Sequence, residues 1–263
     1  MWINSSSLLL GTNLKMNQTA AETGRFIIEL AEVLPRSFGQ YFIIPPFTSL
    51  AAAVRARDES ELPVWIGAQN MHWEPSGAFT GEISAAMLTA LGVDLALLGH
   101  AERRGLFHET DEDLQRKVQA ALAAGLRVLL CIGETAGERA NAVGLETVGR
   151  QLKIALNGIA ADQAPMLQVA YEPVWSIGAG GTPATPDDIA PVATAIRGLL
   201  VSQFGDGGGA IPILYGGSVD PTNAGIFLQV PEITGLFVGR AAWTPPGFLA
   251  IVDSARDMSG RQS

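Results

Sequence analysis

Cysteine occurs once in this chain, at Cys131, and histidine only three times, among 263 residues. A lone cysteine excludes an internal disulfide and is the usage expected of a reducing cytoplasm. Three scattered histidines and one cysteine do not make a zinc site, so no metal is expected. Charged residues are sparse at 16%, and no apolar run reaches the roughly 18 residues of a membrane span. The opening MWINSSSLLL has no basic segment of the kind that starts a secretory leader. Basic residues are outnumbered 17 to 26, for a net charge of −9, which argues against nucleic acid or an anionic membrane as partner. An anionic substrate would have to be captured by local positive charge and backbone dipoles, against the field of the whole chain.

What the chain has in quantity is apolar residues, 48% of the total, enough for a large packed core. No linker, low-complexity tract or charge block divides it, so a single domain over residues 1–263 is expected. Short apolar strands alternate with amphipathic helices at a spacing of roughly 33 residues. Strands are predicted at Leu8–Thr12, Tyr41–Pro45, Val64–Ala68, Leu95–Leu98, Val128–Ile132, Leu167–Tyr171, Ile211–Tyr215 and Leu236–Val238. Helices are predicted at Ala20–Leu34, Thr48–Arg57, Ala85–Leu91, Asp111–Ala124, Gly144–Ile159, Pro186–Phe204, Pro221–Leu228 and Gly247–Arg256, with Asp111 and Thr185 as N-caps and Gly125 near a C-terminal cap. Strands that are apolar throughout belong to a parallel sheet covered on both faces. Eight such units favour a closed eight-stranded parallel β/α barrel. The rival, a doubly wound dinucleotide fold, needs a glycine-rich turn after the first strand; here that strand is followed by Asn13, Lys15 and Asn17.

In such a barrel chemistry sits at the C-terminal ends of the strands. The stretch QVAYEPVWSIGAGGTPAT, residues 168–185, has a strand, one carboxylate at its end, a stiff Pro173, bulky Val174 and Trp175, and then Gly178, Gly180 and Gly181. A carboxylate under an apolar flap that can close over it is suited to be a general base, Glu172. After the first strand Asn13 and Lys15 alternate with Leu14 and so project from one face of an extended segment; a lysine facing a barrel mouth calls for an anion. His100 stands at the end of the fourth strand. A helical turn starting at Ala101 would aim backbone N–H groups at its ring, favouring the uncharged form that can donate to a carbonyl oxygen. Glu102 is read as the partner that orients Lys15 in preference to a second acid, Arg103 and Arg104 as structural residues pairing with acids such as Glu109, and His72 and His108 as structural or exposed. YGGSVDP, 215–221, exposes backbone N–H groups around Ser218 on the way into a helix, and GLFVGRAAW does so at Gly239; two such loops side by side suit a phosphate.

With these residues in hand, the chain resembles the triosephosphate isomerase family from its first strand to its last. The segments that carry the resemblance are TNLKMN, GAQNMHWEPSGAFTGEIS, LLGHAERR, LLCIGET, AYEPVWSIGAGGTPAT, YGGSV and GLFVGRAAW. It implies a TIM barrel and a cofactor-independent isomerase that interconverts dihydroxyacetone phosphate and glyceraldehyde 3-phosphate through an enediolate. It implies Glu172 as base, His100 as electrophile, Lys15 and Asn13 as substrate ligands, and Gly178, Ser218 and Gly239 as backbone phosphate ligands. It also implies a homodimer in which the loop of residues 69–80 inserts into the second subunit; Met71, Trp73 and Phe79 beside a Gly77 turn are apolar groups that an isolated barrel would expose.

The sequence departs from the family pattern in several places. The usual tryptophan between Asn13 and Lys15 is Leu14, the serine after the histidine is Ala101, and the flap's lysine is Gly181, with Pro183 in a flap one residue longer. The glycine pair after the last strand is Gly239–Arg240, whose guanidinium could grip the phosphate or reshape the pocket. A GR–aromatic ending and a proline-bearing flap resemble the branch that isomerises the four-carbon erythrulose phosphates, L-erythrulose 1-phosphate to D-erythrulose 4-phosphate. A non-catalytic binder of phosphorylated sugars is the third reading; a dead descendant should have lost the base or the electrophile first, and both are present.

Overall fold

A computed structural model describes residues 8–178 and 180–260; the opening residues 1–7, read above for a leader, lie outside them. Eight parallel strands close into a barrel in sequence order: β1 Leu9–Asn13, β2 Gln40–Ile44, β3 Val64–Ala68, β4 Leu95–Leu98, β5 Arg127–Ile132, β6 Leu167–Tyr171, β7 Ile213–Tyr215 and β8 Gly235–Val238. The ring closes where β1 pairs with β8, Leu9 opposite Gly235 through Thr12 opposite Val238.

The period of two along each strand divides the core. Leu9, Phe42, Ile44, Leu95, Leu97, Leu129, Cys131, Ala170, Leu214 and Phe237 form one buried cluster inside the barrel. Alternate residues such as Leu10, Ile43, Ile66 and Leu130 join the larger cluster between barrel and helices. Gly11 leaves room for the Phe42 ring, since a Cβ there would lie 2.3 Å from it. Glu172 follows Ala170 by two residues and Asn13 follows Leu9 by four, so both continue the inward rows past the packed layers.

The helices in chain order are α1 Ala20–Val33, α2 Leu50–Glu59, α3 Ala85–Leu91, α4 Ala101–Leu106, α5 Asp111–Ala123, α6 Ala136–Ala140, α7 Gly144–Ala155, α8 Pro186–Phe204, α9 Asp206–Ala210, α10 Ala224–Phe227 and α11 Pro245–Gly260. Four of them start with a reciprocal cap in which a threonine and an acid three residues on exchange hydrogen bonds: Thr19–Glu22, Thr110–Asp113, Thr135–Glu138 and Thr185–Asp188. Thr185 caps its helix as expected. For α5 the cap is Thr110, not Asp111: the threonine keeps extended backbone while Asp111 is already helical and buried, held by Arg104 at 2.6 Å. The expected helix 221–228 shrinks to α10, four residues, because Asp220 accepts from the N–H groups of Thr222 and Asn223 and holds the chain in a turn before it.

Candidate active site

Glu172 is pinned from both neighbouring strands. Its N–H donates to the Ile132 carbonyl, and the N–H of Gly216 donates to the Tyr171 carbonyl beside it. Glycine is required on each side: a Cβ at Gly133 would overlap the Glu172 carbonyl oxygen, and one at Gly216 would meet Glu172 Cγ at 3.0 Å. The carboxylate is 2% exposed. Its Oε2 accepts the backbone N–H of Ala101 at 3.0 Å, and its Oε1 lies 3.4 Å from His100 Nε2.

His100 is the N-cap of α4, and its Nδ1 accepts the N–H of Glu102 at 3.2 Å. A nitrogen that accepts carries no proton, so in this tautomer the N–H is at Nε2, directed toward Glu172. The two leading N–H groups of α4 thus serve the site: one fixes the imidazole, the other the carboxylate.

Lys15 does not lie on an extended segment. Its φ is +52°, in the left-handed region, with its own N–H bonded to Asn13 Oδ1 at 2.8 Å. Bending here turns the side chain toward α4, where Nζ reaches Glu102 Oε1 at 2.5 Å, the pairing read for Glu102. Arg103 and Arg104 bond Glu109 and Asp111, the acid-pairing role expected of them.

Asn13, Lys15, His100, Glu172, Ile177, Gly216, Gly217, Phe237, Val238 and Gly239 line one hollow at the C-terminal mouth of the barrel. Four sequence candidates converge there from β1, β4 and β6, and a fifth, Gly239, from β8. Three others do not line it. Ser218 and Gly178 are exposed beside it, their places on the wall taken by Gly217 and Ile177. Arg240 is exposed and forms no ion pair among the described residues. The N–H groups of Gly217, Ser218 and Gly239 donate to nothing among the described residues, which leaves them free for an acceptor. That Gly216 and Gly217 would matter was legible in the glycine pair; that Phe237 forms a wall was not, because it reads as one more strand residue.

The flap leaves β6 through Pro173 and a 3₁₀ turn, Val174–Ser176. Trp175 Nε1 donates to Glu134 Oε1 at 2.6 Å, and the Tyr171 hydroxyl donates to the same carboxylate at 3.1 Å. Burial, reinforced by that carboxylate, pushes the Tyr171 hydroxyl far above its ordinary range, so it remains a donor. Arg139 of α6 stacks 3.6 Å from the centre of the Trp175 ring and bonds Asp188 in the first turn of α8 at 2.7 Å. Beyond the turn, Gly178 has φ +84°, and Thr182 donates back to the Trp175 carbonyl. Nothing in the sequence marked Arg139, since a helical arginine reads as a solvated face.

The loop of residues 69–80 differs from expectation at one position. Met71 is fully buried in this chain; Trp73 is half-buried under Arg116, and Phe79 remains 42% exposed. Asn70 at its base accepts from the buried Lys117 at 2.8 Å.

Compared with known proteins, residues 8–255 match the family described as Triosephosphate isomerase. A protein named triosephosphate isomerase from Alkaliphilus metalliredigens is 43% identical over 246 residues, covering 93% of this chain and 98% of its own. One named L-erythrulose-1-phosphate isomerase from Rhizobium etli is 45% identical over 249 residues, covering 92% and 90%. The crystal structure of the Bartonella henselae triosephosphate isomerase superposes with a TM-score of 0.84 at 37% identity, over 95% of this chain and 99% of that one. Barrel, strand order and extended similarity agree: this chain belongs to the triosephosphate isomerase family.

Proposed function

We propose that this protein interconverts dihydroxyacetone phosphate and glyceraldehyde 3-phosphate, with Glu172 as the base. The observation that carries the reading is a nearly inaccessible carboxylate and an N–H-bearing imidazole nitrogen 3.4 Å apart at the mouth of the barrel, with a lysine on the same wall. Glu172 takes a proton from the carbon next to the carbonyl and returns it to the former carbonyl carbon, while the hydroxyl proton passes to the former carbonyl oxygen. His100 Nε2–H donates to the oxygen on which charge develops, and Lys15 adds a positive charge beside it. Proton transfer alone moves the carbonyl, so electron balance requires no cofactor. A positioned base contributes about 10²–10⁴-fold, and each oxyanion donor about 10²–10³-fold. Asn13 holds the turn that carries Lys15. The N–H groups of Gly217, Ser218 and Gly239 bind the phosphate, with Gly178 contributing when the flap closes and Arg240 supplementing them from the rim. Closure excludes water, which protects the enediolate from losing its phosphate.

A second reading is supported by the Rhizobium etli relative and by Arg240: the substrate is a four-carbon ketose phosphate, isomerised by the same chemistry. Purified protein assayed side by side on three- and four-carbon substrates tests both. Higher kcat/KM on the three-carbon pair supports the first reading, the reverse supports the second, and no turnover of either leaves only the non-catalytic binder.

The same proposal includes a homodimer through residues 69–80. Its support is the exposed Phe79 in that loop, with Leu106 at the end of α4 and Phe107 just after it also exposed. A second copy would cover this apolar surface. Light scattering at micromolar concentration should show twice the chain mass; a 27.6 kDa species alone overturns it. The free, buried Cys131 supports a reducing compartment, the cytoplasm.

A further inference from the structure

The turn that carries Lys15 contains two non-glycine residues in the left-handed region, Lys15 at φ +52° and Gln18 at φ +67°. Such backbone persists only where the surroundings hold it. Gln69 holds it from the β3 side, donating to the Lys15 carbonyl at 2.8 Å. From the β8 side the hold comes from Trp243, whose Nε1 donates to the Asn13 carbonyl at 2.8 Å. Gln18 completes a ring by donating to the Trp243 carbonyl at 3.0 Å.

The ladder explains why an indole is there. Leu9 donates to Thr234, so the odd-numbered residues of β1 face β8, and the Asn13 carbonyl points that way too. Continued in register, its donor would be the N–H of residue 240. The chain leaves the sheet at Gly239, with ψ −123°, and turns into the 3₁₀ turn Arg240–Ala242. The last β1 carbonyl is left without its ladder partner, and the indole N–H takes that place. Trp243 is half-buried against the core, so its ring is fixed by packing as well.

We infer that Trp243 is a positioning residue for Lys15. Its N–H replaces the missing rung between β1 and β8 and sets the Asn13–Gln18 turn so that Lys15 enters the pocket opposite Gly239. This rests on the reading that Lys15 and the Gly239 N–H bind one substrate.

Trp243→Phe keeps an aromatic ring against the core but removes the N–H together with the second ring of the indole. The expected result is a KM and an inhibition constant for inorganic phosphate each raised five-fold or more, with kcat lowered as well because Lys15 also faces the oxygen on which charge develops. Gln18→Asn, which tolerates the left-handed backbone but does not reach the Trp243 carbonyl, should move KM and the phosphate constant in the same direction by less. A lower melting temperature with both constants unchanged would mean packing alone and overturn the inference. If Trp243→Phe does not fold, Gln18→Asn decides, and unchanged constants there overturn it. Parent protein inactive on both sugar phosphates would instead overturn the functional reading and take this inference with it.

Discussion

The N–H of Ala101 binds Glu172 Oε2 at 3.0 Å, across 71 residues of sequence. The proposed base therefore rests on the first turn of the helix that starts at the proposed electrophile. Glu172→Gln preserves an oxygen for that bond and abolishes the proton acceptor. Its kcat should fall by at least about 10²-fold, with inorganic phosphate binding nearly unchanged. Activity within a few-fold of the parent, in a steady-state assay, would show that another group is the base.

Arg139 joins the two ends of the flap, Trp175 by stacking and Asp188 by an ion pair. Arg139 is exposed, so its cation–π contact is worth about 0.5–1 kcal/mol and its ion pair about 0.2–1 kcal/mol. Arg139→Ala should lower kcat/KM by about ten-fold, about 1.4 kcal/mol. Arg139→Lys, which keeps charge but not the planar stack, should lie between it and the parent. Released inorganic phosphate per turnover should rise in both, since a looser flap admits water. Unchanged phosphate release and kinetics would reduce Arg139 to a surface ion pair.

Asp188 is held below its ordinary 3.8 by the Thr185 backbone N–H first, then by the Thr185 hydroxyl and Arg139. A carboxyl whose folded pKa is depressed stabilises the fold above the unfolded value, and that contribution is lost as pH falls through the folded one. Thermal melting should thus be nearly level in this term above about pH 5 and decline below 3.8. Asp188→Asn should melt lower at neutral pH and lose less on acidification. Parallel pH curves for parent and variant would show that the cap contributes no acid-labile stability.

Arg240 distinguishes the two substrate readings. If it grips phosphate or shapes the pocket for a longer chain, Arg240→Gly should lower four-carbon turnover by ten-fold or more and three-carbon turnover less. Such a bond is worth about 1.5–3 kcal/mol. Equal loss on both substrates would indicate phosphate grip without length selection. No loss on either would remove Arg240 from the site.

Much of this molecule is determined locally. Apolar runs of strand length, the Thr185 cap and the glycines at strand ends are short-range patterns, so eight βα units, the barrel and five of the residues lining its mouth could be read directly. His100 as a helix cap and Glu102 as the partner of Lys15 followed from strand-end position and charge. Tertiary structure decided what depends on neighbours far along the chain. Lys15 takes left-handed backbone because Gln69 and Trp243 from two other loops, and Glu102 from α4, hold its turn and side chain. Met71 is buried, not exposed, because the base of its loop is tied to Lys117. Arg139 becomes part of the flap only once α6 lies against Trp175. Sequence period fixes which face of a strand or helix is apolar; which polar group meets which across the barrel mouth is set by closure of the ring, which brings β8 beside β1 and gives an orphaned carbonyl its indole.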